Sequence, residues 1–550
     1  MTNEAAPDGN EEWWRSAVVY QIYPRSFADA DGDGIGDING IRSRLPYLVE
    51  LGVDAIWISP WYRSPLLDGG YDVANYRDIN PSFGTLEHAD AMIAEAHHLG
   101  IRVLIDLVPN HCSWEHPWFR AARAGGRGAP ARDLFWFRDG ADGPHGSKPP
   151  NAWAASFGGP AWERVEDGQW YLHLFDVSQP DWNWQHRQVV EEFDSILRFW
   201  FDRGIDGFRI DVADSMSKDD TLPDVREARV PGQSANKYPG HPHWDRDEVH
   251  DIHRRWRRIA DEYAGHPGGA RTLVAEAWVT PPERLARYLR PDELHCAFNF
   301  DALKAPWDAE RLRQVIDSST EAIWDVGASA TWVLSNHDTI RHRTRYGRDQ
   351  REAGAPAGSV DCDLALGLRR ARAAALLELA LPGGAYIYQG DELGLPEVED
   401  LPEDVLDDPI WERSGRTVRG RDGCRVPMPW SGSQPPFGFG PGRGQPWLPQ
   451  PPSWSELSAE AQRDDPASHL SLYRAALRIR REHQALGDGR LRWVDTADDA
   501  LCFDREPAFR CVVNFGASPC DLPRHRSVLL ASQPLEDSKL PSDSAAWLSV

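Results

Sequence analysis

Lysine is almost missing from this chain: its 550 residues hold five (Lys148, Lys218, Lys237, Lys304 and Lys539) against 55 arginines. Positive charge is scarce overall, because 60 Lys and Arg face 85 Asp and Glu, for a formal net charge of −25. A chain with a pI near 5.2 lacks the basic face that phosphate backbones and anionic membranes require, so nucleic acid and membrane are excluded as partners. The opening residues, MTNEAAPDGNEE, carry neither the basic stretch nor the apolar core of a secretory signal. The most apolar long stretch, 371–388, is interrupted by Arg372, Glu378 and Pro382 and cannot span a bilayer. Seven cysteines form an odd, widely spaced set without a CxxC pair. They build no disulfide framework, and no His/Cys cluster suggests a transition metal. These absences predict a soluble, cytoplasmic protein with reduced thiols.

What is plentiful is tryptophan, with 25 residues. Aromatic planes stack on sugar rings and also fill cores; for Trp114, Trp118, Trp136, Trp153, Trp162 and Trp170 the expectation is packing. Short apolar runs at 18–23, 55–59, 103–108, 207–212, 272–275, 297–300, 331–334 and 385–388 read as strands, several of them unbroken by polar residues. That is the pattern of strands buried on both faces of a parallel sheet. Amphipathic segments at 86–99, 189–201 and 362–379 lie between them. Eight strands alternating with helices predict an α/β fold, a (β/α)8 TIM barrel, over residues 11–111 and 179–482. Residues 112–178, rich in Gly, Pro and Trp, predict a small domain inserted after the third strand. Residues 391–452 predict an irregular excursion after the eighth. Residues 483–550 predict a C-terminal β-sandwich-like domain, with strands at 501–503, 509–515 and 528–530.

Polar clusters fall at the ends of the predicted strands, where a barrel carries its chemistry. In GFRIDVAD (207–214), Arg209 and Asp211 are two apart on a strand and share a face. A guanidinium there keeps the carboxylate ionised, which suits a nucleophile. Glu276 ends LVAEAW with Ala275, Ala277 and Trp278 around it. A carboxyl in apolar company keeps its proton near neutrality, as a general acid must. Asp338 of SNHD adds a third acid beside His337. One protonated acid, one ionised acid and a third to stabilise positive charge form the set that glycoside hydrolysis requires.

Four ordered segments, DLVPNH (106–111), GFRIDVAD (207–214), VAEAW (274–278) and SNHD (335–338), resemble the signature regions of the α-amylase family, glycoside hydrolase family thirteen. The stretches YQIYPRSFADADGDGIGDINGI (20–41), GGYDVANY (69–76), FGGPAW (157–162) and QPDWNW (179–184) look like its α-glucosidase and oligo-1,6-glucosidase branch. The resemblance implies Asp211 as nucleophile, Glu276 as acid/base and Asp338 as transition-state stabiliser. It implies that Asp72, His111, Arg209, His337 and Arg421 hold the terminal glucose of a small α-glucoside. It further implies a retaining, exo-acting α-glucosidase working by double displacement, whose two reacting carboxyls stand about 5–5.5 Å apart. Valine at 212 accompanies α-1,6 preference in that branch, whereas 241–250 and 290–300 resemble maltase-type relatives, so the linkage stays open. Trp182 and Asp214 depart from the branch's usual residues and are expected to reshape the leaving-group side. A transglucosylase or isomerase using the same donors is the first alternative. A non-catalytic scaffold barrel is the second, and the three intact carboxylates speak against it.

Residues 29–37, DADGDGIGD, reproduce the first nine positions of an EF-hand loop, but position 12 is Gly40 and the bidentate glutamate is missing. The resemblance implies a structural Ca²⁺ or Mg²⁺ held by Asp29, Asp31, Asp33, Ile35 and Asp37. No organic cofactor is expected.

Overall fold

The computed structural model describes residues 12–144, 146–225, 240–442, 444–497 and 499–550. Residue 11, the expected start of the barrel, lies outside them. Eight parallel strands follow one another in the chain: β1 (Val18–Ile22), β2 (Ala55–Ile58), β3 (Arg102–Leu107), β4 (Gly207–Ile210), β5 (Thr272–Ala275), β6 (Cys296–Ala297), β7 (Thr331–Val333) and β8 (Gly384–Tyr388). They pair in the order β6-β5-β4-β3-β2-β1-β8-β7, and the remaining gap is bridged where Asn299 N–H donates to the Thr331 carbonyl at 3.1 Å. The result is the expected (β/α)8 barrel. All residues of β1, β2, β4, β5 and β8 are buried, which is why the sequence shows unbroken apolar runs there.

One strand differs from expectation. The apolar run at 297–300 predicts the sixth strand, but β6 ends at Ala297. Asn299 instead caps a short helix, Phe300–Lys304, its side chain accepting the Ala302 N–H at 3.0 Å. An asparagine at that position satisfies a helix N-terminus better than a ladder. Among the surrounding helices, α1 (Leu86–His98) starts at Thr85, whose hydroxyl accepts the His88 N–H. Helix α2 (Arg187–Asp202) buries Val189, Phe193, Ile196, Leu197 and Trp200 at helical spacing against the barrel. Helix α3 (Leu364–Ala380) carries the C-terminal sheet, with Trp547 Nε1 donating to Leu376 O at 2.9 Å.

Between β3 and β4, a helix (Pro117–Gly125) and an antiparallel three-stranded sheet (Phe137–Arg138, Trp162–Arg164, Trp170–Leu172) form the inserted unit. Trp136, Trp153 and Trp162 fill its core with Leu172 and Leu174. Trp182, expected near the leaving group, is buried instead, stacked on Phe135 at 4.6 Å. After β8, the described residues of 391–452 contain only short helices (Glu403–Val405, Pro409–Arg413 and Asp422–Cys424) before Pro452–Glu456 begins. A five-stranded antiparallel sheet closes the chain in the order Arg492–Trp493, Ala500–Arg505, Phe509–Asn514, Ser544–Ser549, Ser527–Ala531. The sequence reading missed Ser544–Ser549, a partner of two other strands in this sheet. Its small Ser and Ala residues have little strand character of their own.

Candidate active site

The barrel's strand register brings the acids together. Asp211 follows β4 with its N–H on Leu107 O at 2.8 Å, and Glu276 follows β5 with its N–H on Ile210 O at 2.9 Å. Between them Val212 adopts φ 43°, a left-handed conformation that a β-branched residue enters only under constraint. The turn aims the Val212 N–H at Glu276 Oε2, 2.8 Å away.

Arg209 is the hub of the site. It is 2 % exposed, and its Nη1 reaches Asp106 Oδ1 at 2.6 Å and Asp211 Oδ1 at 2.7 Å, while Nη2 reaches Glu276 Oε2 at 3.0 Å. Three carboxyl groups thus share one guanidinium. Burial pushes Asp211 well above the usual carboxylate range, and Glu276, Asp106 and Asp338 push the same way against the pull of Arg209. Asp106 is pushed up to about 6, chiefly by burial. Arg209 thus holds Asp106 and Glu276 as well as Asp211, its neighbour on the strand face. A cluster with more negative charge than its one arginine offsets retains a proton. The apolar setting expected for Glu276 is also replaced by polar donors, since Trp278 Nε1 donates to its Oε1 at 2.9 Å.

Asp338 stands apart from Arg209. Its Oδ1 accepts from Arg421 at 2.9 Å and from Arg425 at 3.2 Å. Burial pushes Asp338 up, but the charges of Arg421 and Arg425 outweigh it and hold the carboxyl below the usual range. Arg421 is itself fixed by Asp408 at 2.6 Å and by Asp68 at 2.7 Å.

Asp72 does not serve the site as expected. Its Oδ1 accepts from Ser64 and Asp68 N–H, and its Oδ2 from Leu67 N–H. All of these lie within its own loop, where burial pushes it up to about 7. The carboxylate of that loop which meets Arg421 and Gln179 is Asp68.

His337 is buried, accepts at Nδ1 from Gln21 Nε2 at 2.7 Å, and stacks on Tyr71 with ring centres 5.2 Å apart. Burial lowers it to about 3, so the ring is neutral, and its Nε2 lies 3.3 Å from Asp338 Oδ2. His111, lowered by burial to about 4, lies against the side-chain amides of Asn110 and Gln179. Asp106, Asp68, Tyr71 and Gln21 are functional candidates that sequence reasoning did not single out. Asp106 was within reach, as the first residue of DLVPNH.

Two ties fix the surroundings. Lys218 donates to Asp181 at 2.8 Å, Asn110 at 2.6 Å and Ser215 O at 2.8 Å, all buried. It locks the loop after β4 to the end of β3 and to the exit of the inserted unit. Between the 391–452 excursion and the inserted unit, Arg413 makes a fork onto Asp176 (2.6 and 3.2 Å), and Arg421 lies over the Phe157 ring at 4.9 Å.

In the loop after β1, donor atoms of Asp29, Asp31 and Asp37 lie within 4.8 Å of one another. Asp33, whose Oδ1 accepts the Ile35 N–H at 2.8 Å, is not among them. Burial raises Asp29, and Asp33 and Asp31 push the same way; the three donors are all carboxylate oxygens, as a hard divalent cation requires. Gly34 has φ +95°, and a Cβ there would come within 2.1 Å of Gln445 O; only glycine fits at that sixth position. The structure also converges His250, His253 and Glu293, a set hidden by its spacing in the sequence. Glu293, however, is already met by His250 at 2.7 Å and by Arg254 and Arg290, which offset its charge.

Residues 21–489 match the family model for the α-amylase catalytic domain. The chain is 39% identical over 552 residues to a probable α-glucosidase of Rhizobium meliloti (strain 1021), covering 96% of this chain and 94% of that one. It is 35% identical to an oligo-1,6-glucosidase of Parageobacillus thermoglucosidasius, covering 86% of this chain and 84% of the other. Among solved structures it is similar to an α-glucosyl transfer enzyme, XgtA, with a TM-score of 0.84 and 35% identity over 98% of this chain and 99% of that one. It is also similar to the trehalulose synthase MutB, with a TM-score of 0.83 and 31% identity over 98% and 100% of the two chains. Four motifs on four strand ends, three carboxyls grouped around them and a family match over most of the chain agree: the chain belongs to the α-amylase family.

Proposed function

We propose that this protein is a retaining α-glucosidase that removes the terminal non-reducing glucose from short α-glucosides. The arrangement that carries the reading is the pair Asp211 and Glu276, bound to the two terminal nitrogens of one guanidinium, with Asp338 on a separate arginine pair. Two carboxyls held by one fork are near neighbours, as a double displacement needs. Glu276 Oε1 gives its proton to the glycosidic oxygen as the C1–O bond breaks, and an Asp211 oxygen attacks C1. Water then enters, loses a proton to Glu276, and frees Asp211. Asp338, held ionised, faces the positive charge that builds on the sugar. The neutral His337, whose Nε2 lies beside Asp338, together with His111, Asp68 and Arg421, suits the hydroxyls of that sugar.

The mouth, spanned by Arg413 and Asp176, supports exo action on short chains. The arginines of 341–347 are engaged on backbone carbonyls: Arg341 on Gln389 O and Cys424 O, Arg343 on Gly394 O, Arg345 on Ile340 O and Leu303 O. This favours hydrolysis over isomerisation, which needs a grip on the released second sugar. Transfer to a sugar acceptor is the second reading, favoured by the likeness to the α-glucosyl transfer enzyme.

A Ca²⁺ or Mg²⁺ held by Asp29, Asp31 and Asp37 would neutralise that acidic loop and stabilise the chain after β1, with no part in the reaction. Among the described residues no helix is long and apolar enough to cross a membrane. The seven cysteines are free, five of them buried, which fits a reducing cytoplasm.

The test is glucose release from maltose, isomaltose, sucrose and trehalose, with Asp211→Asn as the blank and the anomer followed by NMR. Retained α-glucose that vanishes in Asp211→Asn supports the reading. Initial β-glucose, or near-wild-type turnover by the variant, refutes it.

A further inference from the structure

Trp278 reads in the sequence as one of the apolar neighbours of Glu276; in the structure it contributes a polar group. The two residues are two apart in the loop after β5, and the indole Nε1 donates to Glu276 Oε1 at 2.9 Å. The other carboxylate oxygen, Oε2, is occupied by the Val212 N–H at 2.8 Å and by Arg209 Nη2 at 3.0 Å. Glu276 therefore has one oxygen fixed by the barrel and one that carries the proton toward the leaving group, and the indole addresses the second. The indole is itself held. Phe300 stacks on it with ring centres 3.8 Å apart and planes 9° from parallel, and the Lys304 ammonium sits over its ring at 4.0 Å. Both come from the segment where Asn299 turns the chain out of β6 into a helix.

We propose that Trp278 is a positioning residue for acid catalysis: its N–H orients Glu276 Oε1 and stabilises the charge left there as the proton departs. This rests on the assignment of Glu276 as acid/base. As the C1–O bond breaks, the glycosidic oxygen takes the proton from Oε1. The electron pair of that O–H bond stays on the carboxylate, and a donor already aimed at Oε1 meets the charge without reorganisation. A leaving group that departs without a proton gains nothing from this donor.

The experiment compares kcat/KM for maltose, which needs the proton, with that for 4-nitrophenyl α-glucoside, which does not. It uses wild type, Trp278→Phe and Glu276→Gln on the acid plateau of the pH profile. Trp278→Phe keeps the ring on Phe300 and loses the N–H. Its kcat/KM for maltose is expected to fall about tenfold, the scale of one hydrogen bond to a charged group, while the aryl glucoside stays within about twofold of wild type. The basic limb of the maltose profile is expected to move to higher pH. The other groups facing Glu276, namely Arg209 and Asp211 from the β4 end, Asp106 from β3, Asp338 beyond β7 and Lys304 behind the indole, are unchanged by the substitution.

An equal fall on both substrates, or no fall on maltose, overturns the proposal. If Trp278→Phe melts below the assay temperature, Phe300→Leu, which frees the indole without removing its N–H, takes its place. A smaller loss confined to maltose supports the proposal, and an equal loss on both substrates overturns it. Glu276→Gln separates the two readings. If it too fails to discriminate between the substrates, the acid/base assignment falls; if it discriminates and Trp278→Phe does not, only the role of Trp278 falls.

Discussion

Replacing Arg209 by lysine keeps the charge of the hub and removes its fork. Arg209 meets Asp106 and Asp211 through Nη1 and Glu276 through Nη2. A lysine ammonium at the Nη1 position retains the first two partners and gives up the third, because one compact group cannot stand in two places. The loss is one hydrogen bond to a charged group, about 1.5–3 kcal/mol. If that bond positions Glu276 in the transition state, kcat/KM falls roughly 10- to 150-fold, at about 1.36 kcal/mol per decade. Steady-state kinetics on maltose with Arg209→Lys measure it directly. A thermal melt within a few degrees of wild type shows that the loss lies in the site rather than in the fold. Arg209→Met, which leaves the buried acids without their cation, is expected to lower Tm as well as activity. The reasoning is refuted if Arg209→Lys retains more than a third of wild-type kcat/KM.

Asp68 and Asp72 offer a paired contrast. Asp68→Asn, which weakens the grip on Arg421, is expected to lower kcat/KM about tenfold or more, whereas Asp72→Asn leaves it within a fewfold. Since burial lifts Asp72 to about 7, its favourable contribution is present below the unfolded value near 4 and disappears as pH rises through about 7. Asp72→Asn should therefore gain on wild type in urea melts between pH 5 and 8, by about 2–4 kcal/mol; a pH-independent difference would contradict this. Lys218→Met leaves Asp181 buried without its cation and should cost about 3–5 kcal/mol in denaturant unfolding, whereas a loss below 1 kcal/mol would mean the tie is idle. Chelation of divalent cations should lower Tm, with recovery on adding CaCl₂, and leave kcat at 25 °C unchanged. A stabilisation of about 2.7 kcal/mol is expected at a free ion concentration 100-fold above Kd. Asp37→Asn, which takes away one donor, should abolish the effect.

The sequence was legible wherever a property depends on short spacing. Arg209 and Asp211 share a strand face because they are two apart, and the polar residues after β3, β4, β5 and β7 meet because parallel strands end at one rim. What was not legible depends on partners far along the chain. Asp68 and Asp72 sit in one loop, and only Ser64 and two backbone N–H groups decide which carboxylate turns inward and which faces Arg421. The polar company of Glu276 comes from the Trp278 indole and from the Val212 N–H, turned toward it by a positive φ that the valine side chain does not announce. Glu293 meets His250 across 43 positions with no motif to announce it. The strand Ser544–Ser549 escaped notice because small residues gain strand character only from the neighbours they pair with.

The fork between Arg413 and Asp176 joins two segments that belong to different strand ends, one inserted after β3 and the other after β8. Neither holds Asp211 or Glu276, which follow β4 and β5. Asp211 and Glu276 are set by the barrel register whatever stands around 157, 176 and 413, whereas Asp338 depends on Arg421 and Arg425 of the second insertion. One such scaffold can then diversify among α-glucosides by editing its mouth alone, and a laboratory search for new linkage preference does best to vary residues around 157, 176 and 413 while leaving the strand ends untouched.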